Sequence, residues 1–548
     1  MNLIYVLAAA APILLVLLLM VVFNRKAVTA MAIGWTVVCL VAYFIWDMPA
    51  YWIGGASLKG ILTAANILLI IFGAIALYYS MRESGAIRRI SGVIINLNPD
   101  RRIQVSLAWF IAAFVEGIAG FGTPGALVGP LLVSIGFPAR IAVPLVLILN
   151  STPVSFGVIG VPTIAGIGYT LDVPATNAAL AAVGIDYWHW IDHMVTTAVA
   201  SIHGIIGIFV PTMAVVFVVK WSGGKLRDIL EAVPGAILGG LLFVIPYFMV
   251  AYFTGPELAS VLGAIIGMAI YNLLLKMGLF RSQKLYTFPG DADTRNIEAE
   301  KPDINYGIFK AFLPYILISL ILILTRIIPQ VEEFCATSGT WAVDNILGTT
   351  ASFTFKFLQN PGIYLLLIVL LSHLIFHMSR HQVRMTWENT FRSLAPAAMA
   401  LSFAVALSQA MILSGNNLSQ MDSMVSTLAR SVVNGTGQIY PVLAPFVGIL
   451  GAYMAGSNTV SNIMMVGFQY ETAGLLNISK TIIVALQNVG GAVGNMICVH
   501  NVVAVCATVG IIGKEGSVIR WNLLPCILYG LAAGVIGLLA VKIIPGLF

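Results

Sequence analysis

Glu116-Gly-Ile-Ala-Gly-Phe-Gly-Thr-Pro-Gly125 lies in the middle of the apolar stretch 103–135. A helix that crosses a bilayer needs about 20 consecutive apolar residues. Four glycines and a proline within ten residues break such a helix at its centre. We read 103–135 as a hairpin that enters and leaves on the same side. Three more apolar stretches, 138–168, 440–470 and 480–510, are interrupted in the same way by Gly, Pro, Ser, Thr or Asn.

Composition places these stretches in a bilayer. Of 548 residues, 59% are hydrophobic and 9% charged, where soluble domains carry roughly 25% charged residues. No polar stretch is long enough to fold separately, so the chain reads as one membrane domain. Clear spans fall at 3–23, 28–46, 58–80, 191–219, 234–253, 257–279, 306–328, 360–378, 394–413 and 521–541. The predicted fold is an all-α polytopic membrane protein, with about 12 spans, two re-entrant hairpins, inverted repeats and broken helices. The N-terminus lacks a basic n-region, so Leu3–Phe23 reads as a first span and not a cleaved leader. The net charge of +6 does not suggest nucleic acid, because the basic residues sit in short loops. Cys39, Cys335, Cys498, Cys506 and Cys526 lack the spacing of a metal site or a disulfide framework and read as small apolar fillers.

Lys and Arg collect on the cytoplasmic side of short loops. Arg25 and Lys26 after the first span put the N-terminus outside. With 103–135 as a hairpin, Arg140, Lys220, Lys225, Arg227, Lys276, Arg281, Lys284, Arg295, Lys301, Lys310, Arg380, Arg384 and Arg392 fall inside. The loop 169–190, which has no Lys or Arg, falls outside. With 440–470 as a second hairpin entering from outside, Lys514 and Arg520 are inside. The result is 22 of the 28 Lys and Arg inside and 6 outside: Lys59, Arg326, Lys356, Arg430, Lys480 and Lys542.

Hairpins entering from opposite faces are the signature of an inverted repeat. The first hairpin can be laid on Tyr453-Met-Ala-Gly-Ser-Asn-Thr-Val-Ser461, so that Thr123 meets Thr459. The expected organisation is N-terminal spans over 1–100, a transport core of hairpin and broken helix over 101–190, largely scaffold over 191–435, the second half of the core over 436–515, and a C-terminal span over 516–548.

Broken backbone inside a bilayer leaves N–H and C=O groups unpaired, at several kcal/mol each, and is tolerated only where it lines a cavity. Four breaks therefore point to one binding site near the midplane. They offer helix N-termini, which attract anions, and neutral donors and acceptors: Gly122, Thr123, Asn150, Ser151, Thr152, Ser457, Asn458, Thr459, Asn488 and Asn495. Small residues also let helices pack closely, which is the plainer explanation for any one of them. Gly120-Phe-Gly-Thr-Pro-Gly125 matches G-x-G-x-x-G, but no strand precedes it, so a dinucleotide site is rejected.

Glu116 is the one carboxylate well inside an apolar stretch. A charge there costs at least about 2.5 kcal/mol, so the protonated form is the cheaper one and a proton-coupling role follows. The competing role is a hydrogen-bond partner that pins the hairpin tip. His203 lies mid-span and His500 in the last broken segment, and both are proton-coupling candidates. No Lys or Arg occupies a broken segment, which argues against a permanent cationic clamp on the ligand. Metal-ligand clusters, a nucleophile–base pair and a Walker-type loop are absent from the sequence. No cofactor, no enzymatic activity and no ATP-driven pump are expected.

Glu116-Gly-Ile-Ala-Gly-Phe-Gly-Thr-Pro124 and Ala504-Val-Cys-Ala-Thr-Val-Gly-Ile-Ile-Gly-Lys-Glu515 resemble the bacterial lactate permease family, and the span layout is similar over nearly the whole chain. The resemblance implies proton-coupled uptake of lactate, glycolate or a related short 2-hydroxy monocarboxylate across a bacterial or archaeal inner membrane. It also implies membership of the wider ion-transporter superfamily, where dimers and elevator motion are common and where hairpin tips resemble Ser457-Asn458-Thr459. The chain departs from the family pattern at Cys498-Val-His-Asn501, where Ser-Pro-Gln-Ser is usual, and at Gly125, where a larger aliphatic residue is usual. Two rival expectations stand beside proton symport. One is sodium coupling through Ser457-Asn458-Thr459 and backbone carbonyls, and the other is an anion channel.

Overall fold

The computed structural model describes residues 3–23, 25–95, 98, 100–120, 122–279, 285–288, 306–544 and 547–548. Arg281, Lys284, Arg295 and Lys301 of the inner charge set lie outside the described residues. Among the described residues, twelve helices are long and apolar enough to cross a membrane. Several run past the apolar window that marks them. The span read at 58–80 is a helix over Ala50–Glu83, that at 394–413 covers Arg380–Leu413, and that at 191–219 belongs to a run over Tyr187–Trp221. Polar first and last turns project beyond the apolar belt, where water satisfies them. The span at 360–378 shortens to Pro361–Ile375, because Asn360 caps its start by accepting from the Gly362 N–H. The predicted all-α class holds, with one small addition. Thr340–Val343 and Phe353–Lys356 pair as an antiparallel ribbon beside the outer ends of the helices. The loop 169–190 also contains short helices over Pro174–Ala181 and Tyr187–His189.

All four irregular stretches are broken helices. The first hairpin has arms Arg101–Ile118 and Thr123–Ser134. It folds back on itself, since the Arg101 guanidinium at its start lies 5.8 Å from the ring of Phe137 just past its end. The second hairpin has arms Tyr440–Ala455 and Asn458–Leu475. Its ends also meet, the Gln438 amide donating to the Leu476 carbonyl at 3.1 Å. After each hairpin comes one interrupted span. The first runs from Ala139–Leu149 through a break to Pro153–Leu171, and the second joins Lys480–Gly494 to Val499–Val509.

The run Tyr187–Trp221 shows that the hairpins approach from opposite ends. At its start, the Trp190 indole donates to Thr481 at the base of the second hairpin, 2.8 Å away. At its far end, the Ser222 hydroxyl meets the Tyr286 hydroxyl at 2.7 Å, and the Tyr286 carbonyl accepts from the Arg101 N–H at the base of the first. The Arg25 end of the protein is the first hairpin's end. The opposite end of Ala27–Phe44 leads to Trp46, whose indole donates to the Asp422 carbonyl just past Arg380–Leu413. Arg380 itself lies with Arg82, because Gln382 donates to the Glu83 carbonyl.

The base of the first hairpin is fixed by charge. Arg102 is buried against Asp100 at 2.7 Å and reaches Glu231 at 3.2 Å. The helices Ala50–Glu83 and Arg380–Leu413 are tied to the broken segments by three hydrogen bonds. The Lys59 ammonium donates to the Asp172 carbonyl, Ser408 to the Ile463 carbonyl, and Gln409 to the Thr170 carbonyl. Lys59, counted from sequence among the outer charges at the start of the span 58–80, is buried, with only 4% of its surface exposed. Its stem lies in the helix packing while its head reaches the Asp172 carbonyl at the end of the first interrupted span.

The charge pattern sets the orientation expected of this topology. Val183→Cys and Leu226→Cys, each introduced in a cysteine-free background, occupy exposed positions at opposite ends. A membrane-impermeant maleimide should label Cys at 183 in intact cells, and at 226 only after permeabilisation. The reverse pattern would invert the orientation.

Candidate functional site

The four breaks converge on one cavity, lined among the described residues by Glu116, Gly122, Asn150, Val154, Val158, Pro162, Gly456, Ser457, Asn458, Thr459, Asn495 and Asn501. Two are hairpin tips, and two are interruptions of the spans that follow. The site is therefore built from all four stretches that the sequence marks as irregular. It is small, with about 20 Å3 of space, room for about one water.

Each hairpin presents the start of its second arm to this cavity. In the first, Gly122 precedes the helix with φ +77°, a left-handed turn that glycine adopts without strain. In the second, Gly456 turns the chain with φ +74°, and Ser457 offers no side-chain cap to the helix it begins. The positive ends of two helix dipoles and uncapped N–H groups thus face the same small volume. No Lys or Arg lines it.

Glu116 is buried at the end of the first arm, and the Asn150 amide donates to its carboxylate at 2.8 Å. Gly157 packs against this carboxylate so closely that a side chain at 157 would collide with it. Beyond Gly157, Val158, Ile159 and Gly160 all have positive φ, at 49°, 54° and 78°. β-Branched residues rarely adopt this conformation, which costs roughly 1–2 kcal/mol per residue. The strain sits where the Val158 side chain lies over Gly120 of the hairpin tip. No sequence signal marks it.

Asn488 is buried one layer behind the lining and joins the two halves. Its carbonyl oxygen accepts from Asn458 at 2.8 Å and from Asn462 at 3.1 Å, and its amide donates to Thr163 at 2.8 Å. Asn462 also shares hydrogen bonds with the Pro162 carbonyl. Asn501 donates to Asn495 at 2.9 Å, and its carbonyl oxygen faces Gly122. Buried carbonyl oxygens on Asn150 and Asn458 have no protein donor. The Asn458 oxygen lies against Gly491, behind the lining.

Of the candidates named from sequence, Glu116, Gly122, Asn150, Ser457, Asn458, Thr459 and Asn495 line the cavity. Asn488 supports it from behind. Ser151 and Thr152 are buried in the same break but turn away. The Ser151 hydroxyl donates to the Ile148 carbonyl, and Thr152 approaches the Tyr529 hydroxyl at 3.4 Å. Thr123 begins the second arm beside the cavity without joining its lining.

The two histidines do not meet Glu116. His203 is buried between Tyr529, at 2.7 Å from Nδ1, and Ser155, at 2.8 Å from Nε2. Both ring nitrogens are satisfied, and the group ties the C-terminal span to the first break. His500 is exposed and packs on the outer side of Gly456, away from the cavity. Glu257 is a second buried carboxylate that hydropathy does not separate from its loop, and Gly160 lies against its backbone. Residues missed from sequence are Asn501, Asn462 and Thr163. Asn501 carries the same signal as Asn495, a polar side chain in a broken span.

Asn488→Ala removes the acceptor for two buried amides and a donor to Thr163. Each buried group left unpaired costs about 1–3 kcal/mol. The variant should melt several degrees below the wild type in detergent. Thr123→Ala, outside this network, should leave the melting temperature unchanged.

The chain matches the family model described as L-lactate permease over residues 5–544. It is 26% identical over 576 residues to the glycolate permease GlcA of Escherichia coli, covering 99% of this chain and 96% of that one. It is 25% identical over 559 residues to the L-lactate permease of Escherichia coli, covering 97% of this chain and 94% of that one. Among solved structures it matches the YdaH transporter of Alcanivorax borkumensis with a TM-score of 0.43 and 14% identity, over 90% of this chain and 87% of that one. The chain belongs to the L-lactate permease family.

Proposed function

We propose that this permease is a secondary carrier that takes up lactate or a related short 2-hydroxy monocarboxylate together with protons across a bacterial inner membrane. The observation that carries the reading is the convergence of two uncapped helix starts, neutral amides and one buried carboxyl on one cavity without Lys or Arg. Helix ends and amide donors suit a carboxylate, and the Asn150 oxygen, which has no donor among the described residues, suits the 2-hydroxyl.

Energetics favour proton coupling. Moving one anion into a negative-inside cell costs about 2.3 kcal/mol per 100 mV. One proton makes the step electroneutral, and a second lets the potential drive it. Glu116 is the proton carrier in this scheme. Among the described residues it is the only titratable group in the lining, and Asn150 can donate to its charged form or, with the amide turned over, accept from its protonated form. His203 and His500 are then secondary. The first holds the break in place, and the second lies behind the second hairpin.

We assign the transport core to 101–190 and 436–515, related as an inverted repeat, and the supporting spans to 1–100, 191–435 and 516–548. The small volume of the cavity supports a carrier over an open anion channel, since an acid larger than water fits only when the segments around it move. A homodimer like those of the wider superfamily is compatible with this assignment.

Glu116→Gln should abolish uptake driven by a pH gradient while leaving lactate–lactate exchange in place. Unchanged pH-driven uptake in this variant would remove Glu116 from the mechanism. In proteoliposomes, uptake of L-lactate should follow an inward proton gradient and ignore sodium. The two unpartnered amide oxygens are the feature that favours a sodium site, and sodium-driven uptake without a pH gradient would select it.

A further inference from the structure

On the other side of the second hairpin tip lies a separate cavity of about 320 Å3, lined by Met20, Arg25, Lys26, Tyr453, Met454, Val499, His500, Val503 and Ala504. Arg25 and Lys26 come from the turn between the first two spans, far from the broken segments in sequence. Both are exposed, and among the described residues neither has a carboxylate partner. No acidic residue lines the cavity.

The second hairpin tip contributes residues to both this cavity and the central one. Gly456 and Ser457 line the central cavity, and Tyr453 and Met454 of the same hairpin line the basic one. The His500 ring fills the space where a Gly456 side chain would stand, 2.9 Å from that position. Displacing this tip would join the two spaces. The vestibule at the opposite end of the molecule has the contrary character. It is lined by Asp172, Asp186 and Asp192, with Lys356 as its one Lys or Arg.

We propose that the basic cavity is a release subsite for the substrate anion at the Arg25 face, where Arg25 and Lys26 receive the carboxylate once the second hairpin tip moves. The inference rests on the carrier reading above. An ammonium and a guanidinium next to an apolar wall suit a small carboxylate with a short hydrocarbon part. Their position resolves a tension in the central site, which holds an anion without a fixed cation. The anion leaves a neutral cradle for a charged one, so the fixed charge aids departure instead of trapping substrate at the midplane.

The test measures half-saturation by L-lactate at each face, using exchange in right-side-out and inverted membrane vesicles. Arg25→Gln with Lys26→Gln should raise half-saturation about tenfold at the face that carries these residues, the scale of one lost charge-assisted hydrogen bond. The opposite face should be nearly unaffected. Arg25→Lys with Lys26→Arg should restore the wild-type asymmetry, which separates charge from folding. An equal change at both faces, or none, overturns the subsite. So does a loss that appears only in vesicles containing phosphatidylglycerol, which would assign the cavity to a lipid headgroup. If the wild type exchanges neither L-lactate nor glycolate, the carrier reading itself fails and the subsite with it.

Discussion

The side-chain amide of Asn488 joins the two halves of the molecule, and the site depends on that link. Its oxygen takes hydrogen bonds from Asn458 and Asn462 of the second hairpin, and its nitrogen gives one to Thr163 of the first interrupted span. All of these groups are buried. In hydrocarbon no water replaces a lost partner, so each hydrogen bond constrains where a break can lie. These hydrogen bonds hold the second hairpin against the first interrupted span.

That constraint explains the neighbouring strain. Val158 and Ile159 hold left-handed conformations beside Glu116, and a glycine at 157 leaves room for the carboxylate. A regular helix through this region would place side chains where the carboxylate and Gly120 now sit. The backbone adopts a costly shape to keep one ionisable group and one amide, Glu116 and Asn150, in contact across two elements.

The departures from the family pattern become intelligible together. Gly125 leaves room for Val505 of the last interrupted span, since a larger residue at 125 would strike its side chain. Val505 lies on the same helix as His500 and one turn past Asn501. Asn501 faces the first hairpin tip and His500 backs the second. A small residue in one hairpin thus accompanies larger polar residues in the segment packed against it, and the pair of changes remodels one wall of the site.

Much of this was legible in the residues. Apolar mass placed the chain in a bilayer, glycine and proline marked all four breaks, and charge bias predicted hairpins from opposite ends, because each follows from local chemistry. Seven of the candidate lining residues could be named because polar side chains in a broken span have few places to go. Sequence did not reveal that His203 is fully satisfied by Ser155 and Tyr529, that Glu257 is buried, or that Asn488 stands behind the lining. The sequence has no Lys or Arg in the middle of a broken segment, and among the described residues none lines the central cavity. It said nothing of Arg25 and Lys26, which arrive beside His500 from a turn more than 400 positions away. Local pattern determines where a helix breaks and which side of the membrane a charge prefers. Which groups then face one another is settled by packing between distant segments, where burial makes every unpaired polar atom costly.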